Sequence, residues 1–385
     1  MKRFSTLLIG AGLVTGLLSF NNYVLAGPAT TFNTYNRVDP AYQEVLKTSF
    51  IGQMVINNDQ DLADYDAKLP HDFIGDYKPM TDTVPASDQD PAVELYVYRP
   101  QAKHSSEESK SLTGQSTDKS NNTNNTNHDT SSNSLSANTA PPALPILYYS
   151  HGGGYILRGA LYNTNAYQAM ADRFNMIVVT PKYRLTTEAP FPAALTDAYR
   201  GLQYTYANGQ SWGGDTSRIV TMGDSAGGGL TATLNLYNKD HDKIPVRGEV
   251  LVYPMLDSRT GSSQDIYEAP NTGEYVWTRQ ANNYAWKKMG DYKKVPKAYQ
   301  PYFSPVQDKP EALQGLPDTY MTVGDLDLFL NEDLAYANKL SQAGVNLELN
   351  VVPGVYQNYY DMVPNAQKSI DFWNHVGDFI KRVTE

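Results

Sequence analysis

The pentapeptide Gly223-Asp224-Ser225-Ala226-Gly227 is the stretch of this sequence most suited to do chemistry. An apolar run that ends at Met222 precedes it, and a helical pattern rich in small residues begins at Ala226. A serine on such a sharp strand-to-helix turn projects its hydroxyl away from the backbone, and the flanking glycines leave room for the turn. We therefore interpret Ser225 as a nucleophile, although the same spacing also occurs in ordinary Gly/Ser turns.

A run of glycines lies upstream of this serine, in the segment His151-Gly152-Gly153-Gly154. Consecutive glycines allow backbone N–H groups to turn toward one point, where the carbonyl oxygen of a reacting ester gains negative charge. The run by itself could equally be a flexible turn, but its combination with the serine turn favours an oxyanion site. We expect His151 to support the loop rather than to act as a catalytic base.

Apolar runs alternate with helical patterns along most of the chain, and these elements must position the two glycine-rich segments. The runs typical of strands are 93–100, 144–150, 176–183, 218–225, 248–255, 318–325 and 346–354. The helical patterns between them are 163–174, 193–209, 226–240 and 331–344. This alternation predicts an α/β fold in which a mostly parallel sheet is covered by helices on both faces.

Several segments together carry a resemblance to a known family. They are HGGGY (151–155), YRLTTEAPFPAALTDAYRGL (183–202), GDSAGG (223–228) and VLVYPMLD (250–257). From about Val93 to the C-terminus the chain resembles the hormone-sensitive-lipase-like carboxylesterases, which are α/β-hydrolases. The resemblance implies an eight-stranded α/β-hydrolase core under a small helical cap. It also implies hydrolysis of short- to medium-chain carboxylic esters without a cofactor.

The same resemblance implies roles for individual residues. Ser225 matches the nucleophile, and the backbone amides of Gly153, Gly154 and Ala226 match the oxyanion hole. The residues expected to support the loop and the turn are His151, Gly152, Gly223, Asp224 and Gly227.

The acid of the family lies in a Gly-x-x-Asp segment after a late strand, which here is Gly324 to Asp327. Asp327 is the matching residue, and it follows Ser225 in the order serine, acid, histidine that this fold uses. Asp325 is the local competitor. Asp327 is preferred because the residues after it, LFLNED, also match the family.

The family's histidine follows a Pro-Gly pair after the next strand, but here Pro353-Gly354 leads to Gln357. Glutamine cannot accept and return a proton near neutral pH, although its amide can hold Ser225 and Asp327 in place. Of the six histidines in the chain, His71 is the one candidate for a relocated base, and a surface role for it is the stronger interpretation.

The N-terminus has the pattern of a signal peptide over residues 1–26. Lys2 and Arg3 precede the apolar stretch 7–18, and cleavage is expected ahead of Gly27. The stretch is too short to span a bilayer, which takes about 20 apolar residues. We expect a secreted or periplasmic mature protein with no stable membrane anchor.

A low-complexity segment interrupts the chain at residues 104–139, which contain 10 Ser, 6 Thr and 7 Asn. It has too few apolar side chains to offset its ordering entropy, so we predict a disordered insertion between neighbouring strands. We expect residues 27–385 to form one α/β-hydrolase domain. Within it, residues 30–80 could cover the active face as a cap segment.

The composition argues against several classes of function. The absence of cysteine excludes disulfides and thiolate chemistry, and a net charge of −10 argues against nucleic acid as a partner. No two histidines stand at ligand spacing on one element, so we expect no metal, and the resemblance implies no cofactor. The expected partner is a small-molecule ester or ligand, and no pattern indicates an oligomeric state.

Two functions are compatible with these residues. The first is an exported carboxylic ester hydrolase that is impaired by Gln357, and the second is a non-catalytic protein of the same fold that binds or senses a small molecule. The intact serine turn, glycine loop and acid favour the hydrolase. The aromatic residues Tyr155, Tyr162, Trp277 and Tyr359 could line an acyl pocket, but with 29 tyrosines in the chain the sequence assigns none of them.

Overall fold

A computed structural model describes residues 32–49, 52–69, 75–101, 142–157, 159–267 and 269–385. The predicted signal peptide (1–26), the predicted insertion (104–139) and His71 lie outside the described residues. The predicted cap segment (30–80) is described in part.

Eight strands of the described residues form one sheet. In chain order they are β1 (Met80–Val84), β2 (Val93–Tyr98), β3 (Leu144–Ser150), β4 (Ile177–Pro181), β5 (Gly214–Asp224), β6 (Gly248–Val252), β7 (Asp318–Gly324) and β8 (Leu347–Val352). Their spatial order is β8-β7-β6-β5-β3-β4-β2-β1. Strand β2 is antiparallel to both of its neighbours, and the other pairs are parallel. The predicted mostly parallel sheet is confirmed.

Helices connect and cover the strands. In chain order they are α1 (Pro40–Thr48), α2 (Asp59–Asp66), α3 (Thr164–Phe174), α4 (Ala193–Asn208), α5 (Ala226–Asp240), α6 (Arg279–Met289), α7 (Gln300–Phe303), α8 (Leu330–Gln342), α9 (Tyr359–Met362) and α10 (Gln367–Thr384). Helices α3, α4, α5 and α8 coincide with the four predicted helical patterns. Within the described part of the chain, no helix is both long enough and apolar enough to cross a membrane.

The sheet is covered on both faces, as two neighbouring tyrosines of β3 show. The hydroxyl of Tyr148 donates to the carbonyl oxygen of Ala198 in α4. The ring of Tyr149 instead packs against Tyr167 of α3, with 5.4 Å between ring centroids. Successive side chains of a strand point to opposite faces, so α3 and α4 lie on opposite sides of the sheet. Every residue of β4 and β6 is accordingly buried.

Three details differ from the sequence-based expectation. The strands on either side of residues 104–139, β2 and β3, were expected to be neighbours, but they are separated in the sheet because β4 pairs with each of them. Strand β1 was not predicted, because the polar side chains of MTDTV leave most of this edge strand exposed and give no apolar pattern. Strand β5 begins at Gly214 rather than at residue 218, since Gly214 also pairs with β3, at Leu144, and the polar residues after it give no apolar pattern. The differences in β1 and β5 occur where the strand sequence is polar and carries little hydrophobic signal.

Candidate active site

Ser225 occupies a strained turn between β5 and α5. Its φ of 56° and ψ of −122° are rare for a residue with a side chain, and such strain persists only where the surroundings hold the backbone in place. Here the N–H of Ser225 donates to Val252 O at 2.9 Å. The carbonyl oxygen of Ser225 accepts from the N–H groups of Gly229 and Met255, each at 2.9 Å. These bonds fix the serine at the carboxyl end of the central strands.

The glycines on either side of the serine are required by close backbone approaches. A Cβ at Gly223 would overlap the carbonyl group of Gly227, and a Cβ at Gly227 would overlap the carbonyl oxygen of Ser150. The missing side chains therefore allow the start of α5 to lie directly against the end of β3. This packing places the serine turn beside the glycine loop.

The glycine loop follows β3 and adopts backbone conformations that favour glycine. Gly153 has a φ of 122° and Gly154 a φ of 62°. No described residue accepts a hydrogen bond from the backbone N–H groups of Gly153, Gly154 or Ala226. Gly153, Gly154 and Ser225 line one pocket. The arrangement suits the predicted oxyanion role, which stays a prediction.

Asp224 ties the glycine loop to the serine turn. Its Oδ1 accepts from the N–H of Gly152 at 3.1 Å and from the hydroxyl of Tyr149. A Cβ at Gly152 would overlap the Asp224 carboxylate, so only glycine fits there. The residue that precedes the serine thus positions the loop that would receive the substrate oxygen.

His151 is engaged in the structure of the same loop. Its Nδ1 donates to the carbonyl oxygen of Gly152 at 2.8 Å, and its ring stacks on Tyr183 with 4.4 Å between centroids. The hydroxyl of Tyr183 also donates to the backbone oxygen of His151 at 2.6 Å. These contacts fit the supporting role expected for this histidine.

The side chain of Gln357 lies between Ser225 and Asp327. One end of its amide is 2.7 Å from Ser225 Oγ, and the other end is 2.7 and 2.9 Å from the two Asp327 carboxylate oxygens. An ionised carboxylate can only accept hydrogen bonds, so the end that faces ionised Asp327 is the NH₂ group. The amide oxygen then accepts from the serine hydroxyl. The structure thus brings the three residues of the predicted catalytic set together.

Asp327 is almost fully buried, at 1% exposure. This burial raises the pKa of Asp327 to about 7, although a hydrogen bond from the N–H of Phe329 at 2.9 Å acts in the opposite direction. When protonated, the carboxyl can donate to the amide oxygen of Gln357, whose NH₂ group then faces Ser225. The orientation of the Gln357 amide is therefore linked to the protonation of Asp327.

Asp325, the competing carboxylate, has a different task. Its Oδ1 accepts from the N–H of Gly354 at 2.6 Å, and its Oδ2 forms an ion pair with Arg37 at 3.0 Å. It thus anchors the loop that carries Gln357 and a segment near the N-terminus. The geometry places Asp327, and not Asp325, beside the amide.

The pocket around Ser225 includes residues that the sequence analysis did not identify. They are Met54, Tyr65, Leu69, Leu157, Tyr253, Val276 and Asn358. Three of them belong to the predicted cap segment, and no local pattern marks any of them as pocket residues. Of the four aromatic candidates, Trp277 lines this pocket; Tyr162 lines a neighbouring one, and Tyr155 and Tyr359 are buried in the core.

Among the described residues, no histidine lines the Ser225 pocket. His241 stacks on Tyr237 at the end of α5, and His375 lies near Asn350 on the exposed side of α10. Within the same described ranges, no group of three His, Asp or Glu side chains could hold a metal ion. Gln357 is the side chain that bridges the serine and the acid.

Comparison with known proteins places the chain in a family. The family described as "alpha/beta hydrolase fold" matches residues 147–361, more than half of the chain. Carboxylesterase NlhH of Mycobacterium tuberculosis is 31% identical over 235 residues, which cover 59% of this chain and 70% of that protein.

Two solved structures are similar over almost their whole length. A bacterial heroin esterase shares 26% identity with a TM-score of 0.71, covering 91% of this chain and 99% of its own. Esterase LipW of Mycobacterium marinum, at 22% identity and a TM-score of 0.71, covers 92% of this chain and 98% of its own and shows the shared fold. The chain is therefore a member of the carboxylesterase-type α/β-hydrolase family.

Proposed function

We propose that this protein is a serine hydrolase of carboxylic esters in which Gln357 stands at the position of the catalytic histidine and slows turnover. The observation that carries the proposal is the Gln357 amide, which contacts Ser225 Oγ at one end and the Asp327 carboxylate at the other. A histidine that serves as a catalytic base makes the same two contacts. The relatives named carboxylesterase and esterase support the reaction class.

The first step is attack of Ser225 Oγ on the ester carbonyl carbon. The carbonyl oxygen becomes negative as the tetrahedral intermediate forms, and the N–H groups of Gly153, Gly154 and Ala226 would donate to it. Helix α5 adds a favourable field, because its positive N-terminal end begins at Ala226. This stabilisation of the oxyanion does not depend on residue 357.

The described part of the site lacks a group that can remove the proton of the serine hydroxyl during this attack. The amide oxygen of Gln357 accepts a hydrogen bond from it but cannot take the proton. The proton must leave to solvent or to the departing alkoxide, and the water that cleaves the acyl-enzyme meets the same obstacle. Loss of the base in a comparable serine hydrolase costs ~10⁶ in turnover, and roughly 10³ over the reaction in water remains. We expect slow catalysis that needs Ser225.

The substrate class follows from the pocket. The side chains of Met54, Leu69, Leu157 and Trp277 face it together with Ser225. Such a lining suits the hydrocarbon part of an ester of short to medium acyl length. The reaction needs no cofactor, because the nucleophile and the oxyanion donors belong to the chain itself.

A second candidate is a protein that binds a small molecule without turnover. It is favoured by the same amide, because Gln357 keeps the serine hydroxyl engaged while the donors of the glycine loop remain open. Export by the signal peptide of residues 1–26 is part of both proposals. N-terminal sequencing of the protein recovered outside the cytoplasm should begin at Gly27.

Hydrolysis of p-nitrophenyl acetate and butanoate by the wild type and by Ser225→Ala tests the proposed function. We expect slow turnover that is lost in Ser225→Ala. Saturable binding of these esters with no turnover dependent on Ser225 would favour the binding protein. Fast turnover that is lost in His71→Ala would reveal a relocated base and would overturn the assignment of Gln357.

A further inference from the structure

The indole ring of Trp277 lies against the glycine loop, beside the place where the ester carbonyl would sit. A Cβ built on Gly154 would overlap Cη2 of the indole and lie 2.6 Å from its Cζ2. Trp277 is 3% exposed and lines the same pocket as Ser225 and Gln357. The largest side chain of the pocket thus occupies the space next to one of the predicted oxyanion donors.

The orientation of the ring is fixed from within the protein. The indole Nε1 donates to Asn282 Oδ1 at 3.1 Å, and the Asn282 Nδ2 donates to the carbonyl oxygen of Thr260 at 2.7 Å. Asn282 is fully buried. Rotation of the indole out of the pocket would leave a buried amide oxygen without its donor, which is unfavourable. The ring is therefore a rigid wall.

The backbone before Trp277 is strained. Val276 has a φ of 56°, a value that is a genuine outlier for a β-branched residue. Its N–H donates to Gly52 O at 3.0 Å, and residues 276–277 pair in parallel with Gln53 and Met54. The hydroxyl of Thr278 also donates to the carbonyl oxygen of Met54. Strain of this kind collects at functional sites and is retained by surrounding contacts, which here all aim Trp277 into the pocket.

We propose that Trp277 is the specificity-determining residue of this site and sets the upper length of the acyl chain. This inference rests on the proposed ester hydrolysis and names which esters the site accepts. The acyl chain is the part concerned, because the wall formed by Trp277, Leu69, Leu157 and Met54 is predominantly hydrocarbon and suits an alkyl chain. On this proposal the site accepts acetyl and butanoyl groups and excludes an octanoyl group, which restricts the substrates to the short end of the proposed acyl range.

The test compares acetate and octanoate p-nitrophenyl esters in the Gln357→His background, where rates are easier to measure. Trp277→Leu should raise the octanoate-to-acetate ratio of kcat/KM by at least ~10-fold, since even one methylene in an apolar pocket changes discrimination by about that factor. Trp286→Leu is the matched control. That tryptophan is also buried and packs on Phe303 in the same part of the chain, but it does not line the pocket, so the ratio should stay constant.

A binding measurement separates this inference from the proposed function. Calorimetric titration with acetate and octanoate, which needs no turnover, should show a gain for octanoate in Trp277→Leu and none in Trp286→Leu. An unchanged chain-length profile in both measurements would overturn the role of Trp277, whether or not esters are hydrolysed. Absence of hydrolysis together with a gain in octanoate binding would overturn the proposed ester hydrolysis but support the role of Trp277 in limiting chain length. Trp277→Phe replaces Trp277→Leu if thermal unfolding shows that the leucine variant does not fold.

Discussion

The side-chain amide of Gln357 lies 2.7 Å from the hydroxyl oxygen of Ser225, within hydrogen-bonding distance. The contact joins the serine to a side chain that cannot accept and return a proton near neutral pH. Under the proposed function, the site has its oxyanion donors and its strained serine turn but lacks a base for the serine proton.

Restoring an imidazole at residue 357 should restore proton transfer. We expect Gln357→His to raise kcat for p-nitrophenyl butanoate by at least ~10², because a positioned general base contributes that much or more. Gln307→His, the same substitution at a half-buried glutamine that does not line the pocket, should leave the rate unchanged. An equal rate in all three proteins would contradict the role assigned to residue 357.

The two carboxylates of the segment after β7 should behave differently. In the Gln357→His background, Asp327→Asn should lower kcat by about 10⁴, because the acid holds the imidazole in its working tautomer. Asp325→Asn removes only a charge that holds Arg37 and Gly354, so it should act mainly on thermal stability. Steady-state kinetics and thermal unfolding of both variants check this pair. A larger loss of kcat in Asp325→Asn than in Asp327→Asn would show that Asp325, and not Asp327, is the catalytic acid.

The serine turn should not tolerate a methyl group at Gly227. A Cβ there would overlap the backbone oxygen of Ser150, so Gly227→Ala must push α5 away from β3. We expect a loss of several kcal/mol in unfolding free energy, since overpacking of a core commonly costs about 1–3 kcal/mol and here the obstacle is backbone. Gly159→Ala is the control, because no atom of the described residues lies within 4 Å of its added Cβ. Urea unfolding that gives the same value for both would contradict the close approach.

Stability should fall as the pH rises from 5 to 8. Burial raises the pKa of Glu249 from 4.5 to about 7 and that of Asp327 from 3.8 to about 7. Each folded-state pKa lies above the unfolded value, so the folded protein binds more protons between pH 4 and 7. The stabilisation is complete below the unfolded pKa and is lost as the pH rises through 7.

The contribution of Glu249 to this pH dependence of stability can be measured separately. Glu249→Gln should reduce the difference in unfolding free energy between pH 5 and pH 8 by about 2 kcal/mol, because each pKa unit corresponds to about 1.4 kcal/mol. Glu348→Gln, at an exposed glutamate of β8, should leave the difference intact. Stability that rises toward pH 8 in the wild type would show that the buried acids are ionised at little cost.

The sequence was sufficient for the parts of this protein that depend on local pattern. The strands from β2 to β8 and helices α3, α4, α5 and α8 could be predicted, because buried parallel strands are continuous apolar runs and the helices between them have their own periodicity. The serine turn was also predictable, since its glycines, strand and helix are neighbours in the chain. The hypothesis that Gln357 stands at the histidine position needed no coordinates either, because Gln357 lies four residues after Pro353 in a recognisable segment.

Other features were decided by contacts between segments that are distant in the sequence. Asp325 and Asp327 are two residues apart in the sequence. Only the packing of β7 against the loop of Gln357 determines that Asp325 pairs with Arg37 and that Asp327 contacts the Gln357 amide. Trp277 became a pocket residue because pairing with Gln53 and Met54 holds the strained backbone of the preceding Val276 in place. Burial, a property of the assembled chain, raised the pKa of Asp327. Sequence patterns specify which elements form, but the close packing of those elements determines which side chains meet.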